Sequence, residues 1–217
     1  MNFKEFFDQV EDSLEGYVHL DELARNNQNP FKILISTVLS ARTRDTNTRK
    51  VTEKLFNKYN TPKELAEVEI EELEGLIYES GFYRIKSKRI KEISKIIHEK
   101  YNDKVPDTYK ELKALPGVGH KTANCVLNYA FKKAAICVDT HVHRISNRLG
   151  WVHTKTPKKT EIALKKVIPK DIWIRVNHAF VKFGQQICLP NNPKHDICPV
   201  EEICEKDFSM EKMKKKK

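Results

Sequence analysis

Apolar residues recur at helical spacing in one stretch after another along this chain, and no convincing apolar–polar alternation of strand period interrupts them. Phe3, Phe6, Phe7, Val10 and Leu14 open the series and describe an amphipathic helix packed on the body of the protein. Helix starts follow. Thr61-Pro62-Lys63-Glu64 offers a capping threonine, a proline at the first helical position and a glutamate that can close a capping box, with Gly81 placed to stop what begins there. Thr156-Pro157 repeats the opening, and Pro106 with Thr108-x-x-Glu111 announces another helix. The expectation is an all-α fold of about ten helices joined by short polar connections. Only 7 of 217 residues are glycine, so a glycine in this chain marks a positional need.

Charge narrows the choice of partner. Lys and Arg number 40 against 30 Asp and Glu, a formal net charge of +10, and such an excess favours a polyanion: nucleic acid or an anionic membrane. A basic, well-solvated surface with no such partner is the ordinary alternative. No run reaches the 18 apolar residues of a membrane span; Ile33 to Leu39 is short and broken by Ser36 and Thr37. The first residues are charged where a signal peptide would be apolar, which makes a cytoplasmic protein the expectation. Three of the five cysteines crowd between Cys188 and Cys204, a pattern closer to metal ligation in a reducing compartment than to a disulfide framework. Lys212 to Lys217 form a basic tail that either adds non-specific phosphate affinity or is simply solvated.

Leu115-Pro116-Gly117-Val118-Gly119 separates two helical stretches, giving helix, tight glycine turn, helix. The glycines permit backbone geometry closed to other residues and leave no side chain between the turn's N–H groups and an oxyanion. A second helix starting there adds free N–H groups and a positive dipole end, so the motif suits a phosphate; taken alone, a Gly-x-Gly turn is more often a mere connection. Lys121 falls on that helix's first turn, where the positive end disfavours a further cation and suits an amine nucleophile. Downstream, an apolar run delivers Asp139 beside His141 and His143; Asp139 reads equally as a helix N-cap, and the two roles are compatible. Cys188-x6-His195-x2-Cys198-x5-Cys204, read on its own, suggests a structural zinc site.

The hairpin from Leu115 to Asn124, followed by Val138-Asp139-Thr140-His141, resembles the endonuclease III family of helix-hairpin-helix DNA glycosylases. Pro30-Phe31 through Leu39-Ser40-Ala41 and Gly81-Phe82-Tyr83 also match in order and position, so the resemblance spans nearly the whole chain. It implies two helical domains with a DNA-binding cleft between them, a helix-hairpin-helix motif and a C-terminal metal-cluster loop. The boundaries would be 20–133 for the bundle with the hairpin, 1–19 plus 134–211 for the second domain with the cluster loop, and 212–217 for the basic tail.

The implied activity is that of a bifunctional glycosylase and abasic-site lyase removing oxidised pyrimidines from double-stranded DNA, acting as a monomer in the cytoplasm, associated with the nucleoid. Lys121 would attack C1′ and form a Schiff base that permits β-elimination, assisted by Asp139. Pro116, Gly117, Val118, Gly119 and His141 would contact DNA. Phe82 would intercalate while the target base is flipped out, core packing being its other reading, and Arg42 would fill the gap. Arg42 departs from the family, where glutamine is common, and its charged fork bears on the choice of opposite base. The cations of Arg84-Ile85-Lys86-Ser87-Lys88-Arg89 read as phosphate contacts or as a solvated helix face. In the cluster loop Cys188, Cys198 and Cys204 match the family's cysteine ligands and His195 replaces the fourth. The implied cofactor is a [4Fe–4S] cluster with an atypical histidine ligand; zinc, an incomplete cluster or no metal are the alternatives. Two other functions stay open, a thymine- or uracil-mismatch DNA glycosylase and a non-catalytic helix-hairpin-helix DNA-binding module.

Overall fold

The computed structural model describes residues 2–25 and 29–208; the basic tail at 212–217, and the last three residues of the domain bounded at 211, lie outside them. Twelve α-helices and two 3-10 turns make up the regular structure of the described residues, which contain no strand. In chain order the helices are α1 (Phe3–Asp12), α2 (His19–Arg25), α3 (Pro30–Ser40), α4 (Asp45–Lys58), α5 (Pro62–Glu67), α6 (Ile70–Ile77), α7 (Tyr83–Tyr101), α8 (Tyr109–Ala114), α9 (His120–Phe131), α10 (Thr140–Arg148), α11 (Pro157–Val167) and α12 (Trp173–Gln186). The chain divides into two compact units. One is the contiguous segment Val18–Lys133, and the other joins Met1–Tyr17 to Ala134–Lys217.

In the contiguous unit α3 is the centre. Asn29 caps it by accepting from the Phe31 N–H at 2.9 Å, Pro30 stands at its start, and every residue from Ile33 to Leu39 is buried. Its two buried hydroxyls are satisfied inside the helix, Ser36 donating to the Lys32 carbonyl and Thr37 to the Ile33 carbonyl. Around it pack α2, α4, α7 and α9, while α5 and α6 lie on α7. The capping box at Thr61 and Glu64 is formed as the sequence suggests, with both reciprocal bonds present. The helix it starts is shorter than the distance to Gly81 implies. It breaks at Val68 and Glu69, both in extended geometry, and α6 begins afresh at Ile70. The Val68 carbonyl freed by the break accepts from the Lys91 ammonium of α7, and the Val68 side chain is buried. Tertiary packing thus overrides a periodicity that runs through the break.

The discontinuous unit closes around aromatic rings. Phe6 and Phe7 of α1 meet Trp151 and Phe180, with ring centroids 4.7 Å apart for Phe6 and Trp151 and 5.4 Å for Phe7 and Phe180. Each phenylalanine is buried, which contributes on the order of 2 kcal/mol apiece from the area removed from water. On the solvent side Arg175 of α12 pairs with Asp8 at 2.7 Å and Glu11 at 2.8 Å. The N-terminal helix is therefore part of the same core as α10 and α12.

Candidate functional site

The glycine turn is pinned from below. Leu115 and Val118 are buried, and the Val118 N–H donates to the Leu115 carbonyl at 3.1 Å. Gly117 has φ +71, a left-handed conformation that favours glycine. A Cβ on it would also lie 2.4 Å from Cδ of Arg89, so the exposed Arg89 of α7 reaches across the turn and sets a guanidinium beside it. Gly119 is the N-cap of α9, contributes no side-chain hydrogen bond and faces open space. No acidic residue occupies the first turn of α9, so no carboxylate in that turn offsets the positive end of its dipole. His120 is braced by the Tyr109 hydroxyl at 2.6 Å. Lys121 follows it, exposed, on the same first turn.

Asp139 sits in the other unit. Ala135, Ile136, Cys137 and Val138 are buried and carry the chain to it, and its half-buried side chain caps α10. Both capping bonds, from the N–H groups of His141 and Val142 at 2.9 Å, fall on Oδ1. Oδ2 has no hydrogen-bond partner among the described residues. One carboxylate oxygen therefore holds the helix while the other stays available. His141 is half-buried; its Nδ1 lies 3.3 Å from Nη2 of Arg144, and a Cβ on Gly184 would lie 2.4 Å from the same Nδ1. That glycine is what lets His141 lie against α12.

Arg42 and Phe82 come together. Both are non-glycine residues in the left-handed region, φ 53 and φ 61, and the Arg42 guanidinium lies over the Phe82 ring at 5.3 Å. Phe82 is 57 % exposed, so the core-packing reading of this side chain does not hold. Of the cations that follow it, Arg84, Lys88 and Arg89 are exposed, but Lys86 is buried and is not part of a phosphate-facing surface.

Cys188, His195, Cys198 and Cys204 all line one cavity, backed by Ile145, Leu149, Phe183 and Val200. Burial pushes the thiols of Cys198 and Cys204 up, and the neighbouring sulfurs push the same way; a bound metal would reverse that preference. Arg148 organises the loop. Buried at 2 % exposure, it donates to Cys188 Sγ at 3.3 Å, to the Leu189 carbonyl at 2.6 Å and to the Pro190 carbonyl at 2.8 Å, while its own carbonyl accepts from Cys204 Sγ.

The family model described as HhH-GPD superfamily base excision DNA repair protein matches residues 35–170. The chain belongs to that superfamily. Endonuclease III of Thermotoga maritima is 58 % identical to it over 176 residues, covering 81 % of this chain and 83 % of that one. A solved trapped endonuclease III–DNA covalent intermediate, an estranged-adenine complex, superposes with a TM-score of 0.78 at 40 % identity, covering 89 % of this chain and 95 % of the other. A thermostable thymine-DNA glycosylase reaches the same TM-score at 25 % identity and covers 96 % of each chain. Within the HhH-GPD superfamily this chain is an enzyme, a DNA glycosylase with lyase activity, and the reading as a non-catalytic binding module falls away.

Two polar residues of this HhH-GPD protein escape motif reading. Arg148 lies three residues beyond Ile145 and six beyond Val142 on the buried stripe of α10, and Lys86 lies four before Ile90 and seven before Ile93 on that of α7. A cation at a core position of an amphipathic helix is the signal that would have found both.

Proposed function

We propose that this enzyme excises oxidised pyrimidines from double-stranded DNA and cuts the strand at the resulting abasic site, with Lys121 as nucleophile. The amine forms a bond to C1′ as the glycosidic bond breaks, the base leaving with that electron pair. Ring opening then gives a Schiff base, which acidifies the C2′ proton, and its loss expels the 3′ phosphate by β-elimination. Asp139 accepts the proton of the incoming amine or balances the positive charge developing on the sugar. The hairpin N–H groups and Arg89 hold phosphate, and Arg42 and Phe82 enter the stack so that the nucleotide is flipped out. The enzyme acts as a monomer on cytoplasmic, nucleoid-associated DNA.

The observation that carries this reading is the condition of the two side chains: an exposed amine on the first turn of α9, and a capping carboxylate with one oxygen left over. Borohydride reduction in the presence of abasic duplex should trap a covalent adduct with the native enzyme and none with Lys121→Gln. Asp139→Asn keeps a capping oxygen, so it should unfold at the native temperature yet excise about a hundredfold more slowly or worse. An adduct formed by Lys121→Gln would remove the lysine from its role. A second reading, excision of thymine or uracil from mismatches, draws support from the likeness to the thymine-DNA glycosylase and from arginine at position 42. Excision rates over a panel of lesions with varied opposite bases separate the two.

For the cluster loop we propose a [4Fe–4S] cluster held by Cys188, His195, Cys198 and Cys204. The donor set fits it: three thiols and an imidazole line a single cavity. Among the described residues no three His, Cys, Asp or Glu side chains are drawn together as a metal-binding group, so the ligand spacing and the shared cavity carry this reading. When bound, the group supplies a cross-link for the loop, and Arg148 donates to one of its sulfur ligands.

A further inference from the structure

Lys86 is buried to 4 % exposure, and its ammonium has three partners. It donates to the Leu39 carbonyl at 2.7 Å, to Ser80 Oγ at 2.7 Å and to Thr43 Oγ1 at 2.9 Å. Each partner belongs to a different piece of chain: the last turn of α3, the turn before Phe82, and the loop after Arg42. The partners are also joined to one another. Thr43 Oγ1 and Ser80 Oγ lie 3.2 Å apart, Ser80 Oγ donates to the Leu39 carbonyl at 3.2 Å, and the Gly81 N–H donates to Thr43 Oγ1 at 3.1 Å. The two loops touch so closely that a Cβ on Gly81 would stand 2.6 Å from the Arg42 carbonyl oxygen. The Leu39 carbonyl lies in the final turn of a helix, where unsatisfied carbonyls and the negative dipole end favour a cation.

Next along the chain to Thr43 and Gly81 stand the two strained residues, Arg42 and Phe82. A left-handed non-glycine backbone is strained and persists only where surrounding structure imposes it; Arg42 and Phe82 both adopt it, in the two tied loops. We propose that Lys86 is a positioning residue for base extrusion: by tying the Arg42 loop to the Phe82 loop and to the end of α3, it makes the two wedge side chains enter the duplex as one rigid body. The proposal rests on Arg42 and Phe82 acting as the wedge. Lys86 itself touches neither the DNA nor the reacting atoms.

Lys86→Met keeps the length and apolar stem of the side chain and deletes all three bonds. It should lower excision of a damaged base from duplex by about tenfold or more, the size expected from losing charge-assisted hydrogen bonds. It should also reduce the rise in fluorescence of 2-aminopurine placed beside the lesion. Borohydride trapping on a single-stranded oligonucleotide bearing an abasic site needs no extrusion and should stay within about twofold of native. Adding Phe82→Ala to Lys86→Met should cost little beyond either change alone. Equal losses on duplex and single strand, or additive effects of the two changes, would overturn the proposal. If Phe82→Ala and Arg42→Ala leave the 2-aminopurine signal at its native level, the wedge reading fails and the proposal falls with it. If those two abolish the signal while Lys86→Met does not, only the tie is wrong. Should Lys86→Met fail to fold, Thr43→Val and Ser80→Ala each remove one acceptor and decide the matter, a duplex-selective loss supporting the tie and an unselective one overturning it.

Discussion

Lys86 keeps an ammonium where little water reaches it, and burial pushes its pKa down from 10.5 to about 8. No carboxylate among the described residues pairs with it; its three partners are neutral oxygens. Between pH 8 and 10.5 the unfolded chain therefore holds a proton at this residue that the native chain has released. Stability from this group rises with pH through that window and levels off above it. Below pH 8 both states are protonated, and the native state bears the full cost of burying the charge. Lys86→Met removes the titrating group, so native protein should gain on the variant by about 1–3 kcal/mol between pH 7.5 and pH 10.5. Urea unfolding of both proteins at the two pH values measures it, because other titrating groups cancel in the difference. A gap that stays constant would mean that the ammonium is held through the whole range.

The hairpin between α8 and α9 works as an element rather than as a set of side chains. Gly117→Ala forces a Cβ into a left-handed turn and into the side chain of Arg89, and should cost about 1–2 kcal/mol of stability. Since the turn holds backbone phosphate, binding should weaken by a similar factor for damaged and undamaged duplex, and the salt dependence should become shallower as Arg89 is displaced. Fluorescence anisotropy across a salt series tests this; a loss confined to damaged duplex would assign the turn to lesion recognition instead. This element is fully legible in the sequence because its signals are local: a threonine cap at Thr108, two glycines and a restarting helix. The same locality makes the starts at Thr61 and Thr156 readable. The break at Val68 is not, since it depends on Lys91 reaching over from α7. Lys86 and Arg148 hide for a related reason. Their partners lie about 40 residues away or more for most of their bonds, and only their place on the buried stripe of a helix sets them apart from the many surface cations of a chain with 40 Lys and Arg.

At the scale of the molecule, the two units are assembled from the chain in different ways. Val18–Lys133 is one uninterrupted segment, whereas the other unit needs α1 from the beginning of the chain to cover Trp151 and Phe180. That unit also carries the cluster loop, whose cavity is backed by the core residues Ile145, Leu149 and Phe183. A group bound there consequently stabilises one unit and not the other. The histidine at 195 makes the consequence measurable. In the proposed cluster, an imidazole in place of a thiolate would leave one negative charge fewer and raise the reduction potential. Native protein should be coloured and contain iron and sulfide; His195→Cys should retain the cluster with a lowered potential and resist loss of iron under oxidant. Stripping the metal from either form should speed amide exchange in α10 and α12 while α3 and α9 keep their protection, because only the former pack against the loop's cavity. Metal analysis, visible absorption and hydrogen exchange on the two proteins are sufficient. A colourless native protein carrying zinc would identify the loop as a structural zinc site, and uniform deprotection of all four helices would show that the cofactor supports the whole chain rather than one unit.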